Sequence, residues 1–153
     1  MMEIIRASRE DAEQLLALQK LCFRNEAERL NNFDIPPMLQ TLPEIIEEFN
    51  SHFFLKSVED GAIIGSVRAY EADGNCYIGK LIVHPESQNK GIGAALMKQI
   101  EQAFSHVKRY ELFTGADSGK TIHLYNKLGY RSYSIKQIND QLSFVYMEKL
   151  NKS

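Results

Sequence analysis

The sequence predicts an α/β (α+β) protein, with a mixed sheet of about seven strands flanked by about four helices. Three observations predict it. Segments of strand period and segments of helical period follow one another in the order β-α-α-β-β-β-α-β-α-β-β. The apolar run Tyr77–Val83 passes through His84-Pro85 into a glycine-bearing turn and then into a helical pattern. The chain has 153 residues, 44% hydrophobic and 25% charged, a length and balance suited to one domain over residues 1–153 with a proper core.

Each element has a local reason. Glu3–Ala7 reads as a first strand. Ser8 and Asp11 have capping-box spacing, and Ala12, Leu15, Leu16, Gln19, Cys22 and Phe23 then recur at helical spacing. Asn31 to the paired prolines Pro36-Pro37 reads as a loop. A second helix starts with Pro43 as its first residue, after Thr41 or Leu42, and runs to Phe49. His52–Val58 and Ala62–Tyr70 are strands joined at Asp60-Gly61, a hairpin signal. Asp73-Gly74-Asn75 turns the chain into the strand that ends at Val83. Ile92, Leu96, Ile100, Ala103 and Phe104 share one helical face. Tyr110–Thr114 is a strand, and a helix from about Lys120 to Leu128 stops at Gly129 in the C′ position. Arg131–Ile138 and Ser143–Leu150 are strands joined at Asn139-Asp140.

Composition narrows the function classes. A formal net charge of −2 gives no reason to expect nucleic acid. No apolar run has membrane-spanning length, and Met1–Arg6 lacks the layout of a signal peptide, so a cytoplasmic protein without a membrane partner is expected. Cys22 and Cys76 stand alone, without the spacing of a zinc site or a disulfide framework, and read as small core residues; no metal is expected.

The segment from Gln88 to Ala94 carries the chemistry. A turn that opens a helix presents unpaired N–H groups and the positive end of the helix dipole, which suits a phosphate. Gly91 and Gly93 allow close backbone approach there. A dinucleotide fingerprint would need a small residue where Leu96 stands, and a Walker loop ending at Gly119-Lys120-Thr121 would need glycine where Thr114 stands. What remains is Gln88-x-x-Gly91-x-Gly93 between a strand and a helix.

This motif resembles the acetyl-CoA-binding motif of the GNAT superfamily of N-acetyltransferases. The strand end Leu81-Ile82-Val83-His84-Pro85 and the element Leu124-Tyr125-Asn126-Lys127-Leu128-Gly129-Tyr130 resemble the family's fourth strand and its "LYxKLGY/F" element. The element order is similar too, so the likeness covers nearly the whole chain. It implies the acyl-CoA N-acyltransferase fold, acetyl-CoA as co-substrate and a primary amine as acetyl acceptor.

By that resemblance, Gln88, Asn89, Lys90, Gly91, Ile92, Gly93 and Ala94 cradle the pyrophosphate, mostly through main-chain N–H groups. Gln88 either satisfies loop groups or touches phosphate, and Lys90 is either a solvated lysine or an added charge. Leu81, Ile82 and Val83 pair their main chain with the pantetheine arm, which requires this strand to diverge from Tyr110–Thr114. An N–H near Val83 polarises the thioester carbonyl. Tyr125, a core tyrosine by periodicity alone, matches the family's tyrosine beside the coenzyme sulfur and so the general acid. Many relatives carry Asn at the start of that helix; here Thr121 or Ser118 stands in its place.

No base stands out among Glu28, Glu47, Glu48 and Glu71, each of which also reads as a solvated carboxylate. Glu28 and Glu71 are the candidates for the substrate side, while His84 reads as loop structure. From Arg24 to Asn50, Glu26, Glu28, Asp34, Glu44, Glu47 and Glu48 stand against Arg24 and Arg29, a local charge of −4. An acidic lip of this kind points to a small cationic amine, and a solvated helix face is the plainer reading. Monomer and homodimer both remain open. So do a noncatalytic acyl-CoA-binding domain and an acetyltransferase of a protein N-terminus or lysine.

Overall fold

A computed structural model describes residues 2–151. The chain runs β1 (Met2–Arg6), α1 (Ala12–Leu30), α2 (Pro36–Leu39), α3 (Leu42–Glu48), β2 (Phe53–Glu59), β3 (Ala62–Ala72) and β4 (Asn75–Val83). It continues with α4 (Ile92–Ala103), β5 (Arg109–Gly115), α5 (Gly119–Lys127), β6 (Arg131–Gln137) and β7 (Ser143–Leu150). The seven strands form one sheet in the order β1-β2-β3-β4-β5-β7-β6. All neighbours are antiparallel except β4 and β5.

The local signals act where the sequence places them. Asp60 and Gly61 take positive φ in the β2–β3 hairpin, and Asp73 and Gly74 do so in the β3–β4 turn. Gly129, at φ 101, ends α5 as its C′ residue. Three boundaries differ. α1 continues past Phe23 to Leu30, because Ala27 and Leu30 extend its buried stripe until Asn31 turns left-handed at φ 51. The paired prolines open the short α2 instead of a loop, since a helix's first turn tolerates proline. α3 starts at Leu42, with Thr41 as N-cap exchanging hydrogen bonds with Glu44, so Pro43 is its second residue.

Strand alternation sorts the core onto two faces. Leu55, Val67, Ala69, Cys76 and Ile78 pack with α4 and Tyr125. Phe54, adjacent to Leu55, turns the other way and packs with Ala12, Leu15 and Ile45 of α1 and α3. A third cluster joins Ala27, Leu30 and Ile35 to Leu142 of the β6–β7 hairpin. Arg68, only 3% exposed, stands on the α1 face with its guanidinium over Phe54 and Nη2 donating to Gln19 at 2.8 Å. Among the described residues, no helix is long and apolar enough to cross a membrane.

Candidate active site

The sheet splits at the site. β4 and β5 pair only at Asn75–Arg109, Cys76–Tyr110 and Tyr77–Glu111. Beyond Tyr77 the strands part, while β4 stays paired to β3 up to Val83. The register of β3 against β4 shifts between Ser66 and Arg68, and Lys80 takes φ 49. This bulge bends β4 away from β5.

The phase of β4 decides which main-chain groups face the gap. The His84 N–H donates to the Ile64 carbonyl at 2.8 Å, and Ile82 lies opposite Ser66. Alternate residues address the same neighbour, so Ile82 turns its main chain to β3. Leu81 and Val83 turn theirs into the gap. Of the three residues expected to line it, Ile82 therefore contributes a buried side chain and no gap-facing main-chain group. The Val83 carbonyl is already engaged: the Cys22 thiol donates to it at 3.3 Å and the Gln88 side-chain amide at 3.2 Å. Gln88 thus ties the turn to the strand end.

The glycine turn lies at the open end of the gap. Asn89 and Gly91 have φ 64 and 81, and Gly91 is the N-cap of α4. Among the described residues, no N–H from Asn89 to Ala94 donates to a turn or loop carbonyl. That leaves a contiguous run of donors at a helix N-terminus. A Cβ on Gly93 would lie 3.4 Å from Leu124, 3.7 Å from Leu81 and 3.9 Å from Val83. Turn, gap wall and α5 therefore meet at one point.

Tyr125 follows Leu124 and is 5% exposed, its ring 5.9 Å from Tyr130. Burial pushes its phenol well above the ordinary range. Its hydroxyl makes no hydrogen bond within the described residues, yet it is not among the sealed, unpartnered polar atoms, which are Ser57 Oγ and Arg68 Nε. The phenol therefore keeps its proton near neutral pH. Ser118 caps α5 without a side-chain hydrogen bond, and Thr121 lies in its first turn.

Other expected residues lie elsewhere. Glu71 stands opposite Cys76, at the start of β4, and binds His106 at 2.5 Å. Seven residues of strand separate that place from Val83, about 20 Å. Glu28 is exposed and pairs with Arg24 at 3.5 Å. Part of the acidic lip is engaged as well: Glu44 caps α3, and Glu48 binds Arg68 and Lys80. His84 Nδ1 accepts from the Glu86 N–H at 3.1 Å, a loop role.

Sequence reasoning missed the stripe of α1 that roofs the gap. Gln19 reaches Arg68 on β3, Cys22 reaches Val83 on β4, and Glu26 reaches the end of β5 beside Gly115. Their spacing of three, then four residues puts them on one helical face. That spacing was the available signal, hidden because Gln19 and Cys22 sit among apolar neighbours.

Comparison with known proteins agrees with this architecture. The model of the acetyltransferase (GNAT) family matches residues 12–130, and the chain belongs to that family. Over 76 residues it is 38% identical to the uncharacterized protein YdhI of Bacillus subtilis, covering 48% of this chain and 46% of that one. Over 121 residues it is 26% identical to the UPF0157 protein YqkA of the same organism, covering 78% of this chain and 34% of that one. The matches thus span less than half the length of these relatives. Among solved structures, the ribosomal-protein-S18-alanine N-acetyltransferase of Escherichia coli superposes with TM-score 0.82 at 14% identity, over 100% of this chain and 96% of that one. The PaiA N-acetyltransferase of Thermoplasma acidophilum, in complex with coenzyme A, gives TM-score 0.75 at 20% identity, over 98% and 99%. At these identities the likeness is one of fold.

Proposed function

We propose that this acetyltransferase-family chain moves the acetyl group of acetyl-CoA to a small primary amine. The observation that carries the reading is the β4–β5 gap, which has the donor-rich turn at its open end, while Tyr125 lies in the core cluster against which Leu81 and Val83 of the gap wall pack. The solved neighbour in complex with coenzyme A supports the choice of donor.

Each part of the chain has a task in this reading. The N–H groups from Asn89 to Ala94 hold the pyrophosphate, helped by the dipole of α4. The outward main chain of Leu81 and the N–H of Val83 take the pantetheine arm as an added strand and polarise the thioester carbonyl. The amine nitrogen attacks that carbonyl, the C–S bond breaks, and the Tyr125 hydroxyl gives its proton to the leaving thiolate.

Thiol release from acetyl-CoA over a panel of primary amines, with Tyr125→Phe in parallel, tests the reading. Turnover on one amine class, reduced in the variant at unchanged fold, is expected. Tight acetyl-CoA binding with no turnover on any small amine would instead favour a binding-only domain or a protein acceptor.

A further inference from the structure

A second titratable group lies at the gap, on the face opposite Tyr125. Glu26 projects from the roof helix α1 toward the end of β5. A Cβ on Gly115 would meet its Oε1 at 3.2 Å, and would meet Asp117 Oδ1 and Ser118 Oγ at 3.3 Å each. Glycine leaves the room that this carboxylate occupies. Phe113 lies two residues earlier on the same face of β5, roughly 7 Å away. Phe113 is 51% exposed, and its ring lies 4.8 Å from Phe144 and 5.4 Å from Tyr146. An exposed aromatic floor beside a carboxylate is a place where an alkylammonium group is attracted twice, by the ring faces and by the charge.

The charges around Glu26 leave it available. On its own helix, Arg29 is 3.8 Å away and makes its closer contact with Asp117, at 3.0 Å. From the β5–α5 loop, Asp117 faces it with like charge. Burial pushes the Glu26 carboxyl up, Arg29 opposes, and Asp117 adds to the rise. A carboxylate whose conjugate acid is less acidic is a better base near neutral pH.

We propose that Glu26 is the general base that takes the proton from the acceptor ammonium at the mouth of the β4–β5 gap. The inference rests on the acetyl-transfer reading. The ammonium gives one proton to the Glu26 carboxylate, which releases it to solvent. The freed amine forms the N–C bond and the C–S bond breaks. Tyr125 protonates the thiolate and is refilled by the second proton that the nitrogen loses. The net products are amide, free thiol and one proton. Base and acid stand on opposite faces of the sheet, so the first deprotonation of the ammonium and proton delivery to the thiolate do not compete for one group.

The test pairs kinetics with a direct titration. With an amine that the wild type acetylates, Glu26→Gln is expected to lower kcat/KM about 100-fold at neutral pH, within the usual range for a general base. It should also remove the acid limb of the pH profile and leave the acetyl-CoA Kd within about twofold. Glu26→Asp should retain the acid limb with intermediate activity. The 13C signal of the wild-type Glu26 carboxyl should titrate above the ordinary glutamate value, a readout that needs neither turnover nor a folded variant. Unchanged kcat/KM and an unchanged acid limb in Glu26→Gln, or an ordinary midpoint in the titration, overturn the role of Glu26 and leave the acetyl-transfer reading standing. Absence of wild-type turnover on every amine overturns both.

Discussion

Arg68 Nη1 donates to both carboxylate oxygens of Glu48, at 2.8 Å to Oε2 and 3.1 Å to Oε1, joining the middle of β3 to the end of α3. Gln40 Nε2 donates to the same carboxylate at 2.9 Å, and Lys80 lies 3.6 Å away. Burial alone would raise the Glu48 carboxyl, but Arg68, Gln40 and Lys80 outweigh it and hold the group below its ordinary 4.5. A carboxyl lowered by folding contributes stability that is present above its unfolded value and lost as pH falls through the folded one. Urea midpoints are therefore expected to drop below about pH 4.5 in the wild type. Glu48→Gln leaves the Arg68 charge buried without its counter-ion and should cost about 3 kcal/mol at pH 7. It should also flatten the acid dependence. An unchanged pH slope in the variant would assign acid sensitivity to another pair, of which Asp11–Lys56 is the next buried example.

Tyr125→Phe separates a catalytic phenol from a core one. The ring is buried among α4, α5 and Tyr130, while the hydroxyl has no partner to lose among the described residues. Removing it should leave stability within about 0.5 kcal/mol and acetyl-CoA affinity within a few-fold. Loss of a general acid should lower kcat about 100-fold. The paired measurement is a thermal melt beside steady-state thiol release. A large loss of melting temperature with unchanged kcat would make Tyr125 a packing residue.

The two glycines of the turn are there for different reasons, which predicts different costs. Gly91 has φ 81 with nothing near its missing Cβ, so only the backbone conformation demands glycine. Gly91→Ala should destabilise by about 1 kcal/mol. A methyl on Gly93 would make ordinary contacts with Leu124, Leu81 and Val83, so Gly93→Ala should be nearly neutral. Gly93→Val, which extends the group toward the gap wall, should weaken acetyl-CoA binding more than it lowers stability. Chemical denaturation and isothermal titration on the three variants check this order.

The fold was legible where local physics decides it. Asp60-Gly61, Gly74 and Gly129 demand their turns, and the apolar face of α4 is readable from Ile92 onward. The seven-stranded architecture and the strand–turn–helix site followed from such signals, joined by the resemblance at Leu124–Tyr130. What remained hidden depends on partners distant in sequence. Nothing local says that β7 inserts between β5 and β6, because that order is fixed by pairing residues about forty positions apart, Arg109 with Leu150 for example. Arg68 is a lone charge in an otherwise mostly apolar strand, and it is buried because Glu48 and Gln19 arrive from two helices. Glu26 counted as one acid among six in a charge sum, and only the position of Gly115 separates it from the others.

The Val83 carbonyl offers the last test, because two side chains hold it from different directions. Cys22 donates from α1 and Gln88 from the turn, at 3.3 and 3.2 Å. Burial pushes the Cys22 thiol up to about 11 against the smaller opposing effect of that carbonyl, so it stays protonated and keeps donating near neutral pH. Cys22→Ser should preserve the contact. Cys22→Ala or Gln88→Leu alone leaves one donor in place, and each should cost at most about 1 kcal/mol. The double variant strips the carbonyl of both partners at the gap mouth and loosens the turn from the strand. Its loss should exceed the sum of the single losses by about 1 kcal/mol, read both in urea stability and in acetyl-CoA affinity. An additive cycle would mean that the two donors act independently and that the turn does not depend on Val83 for its position. A cycle coupled in affinity but additive in stability would place their shared effect in the bound state.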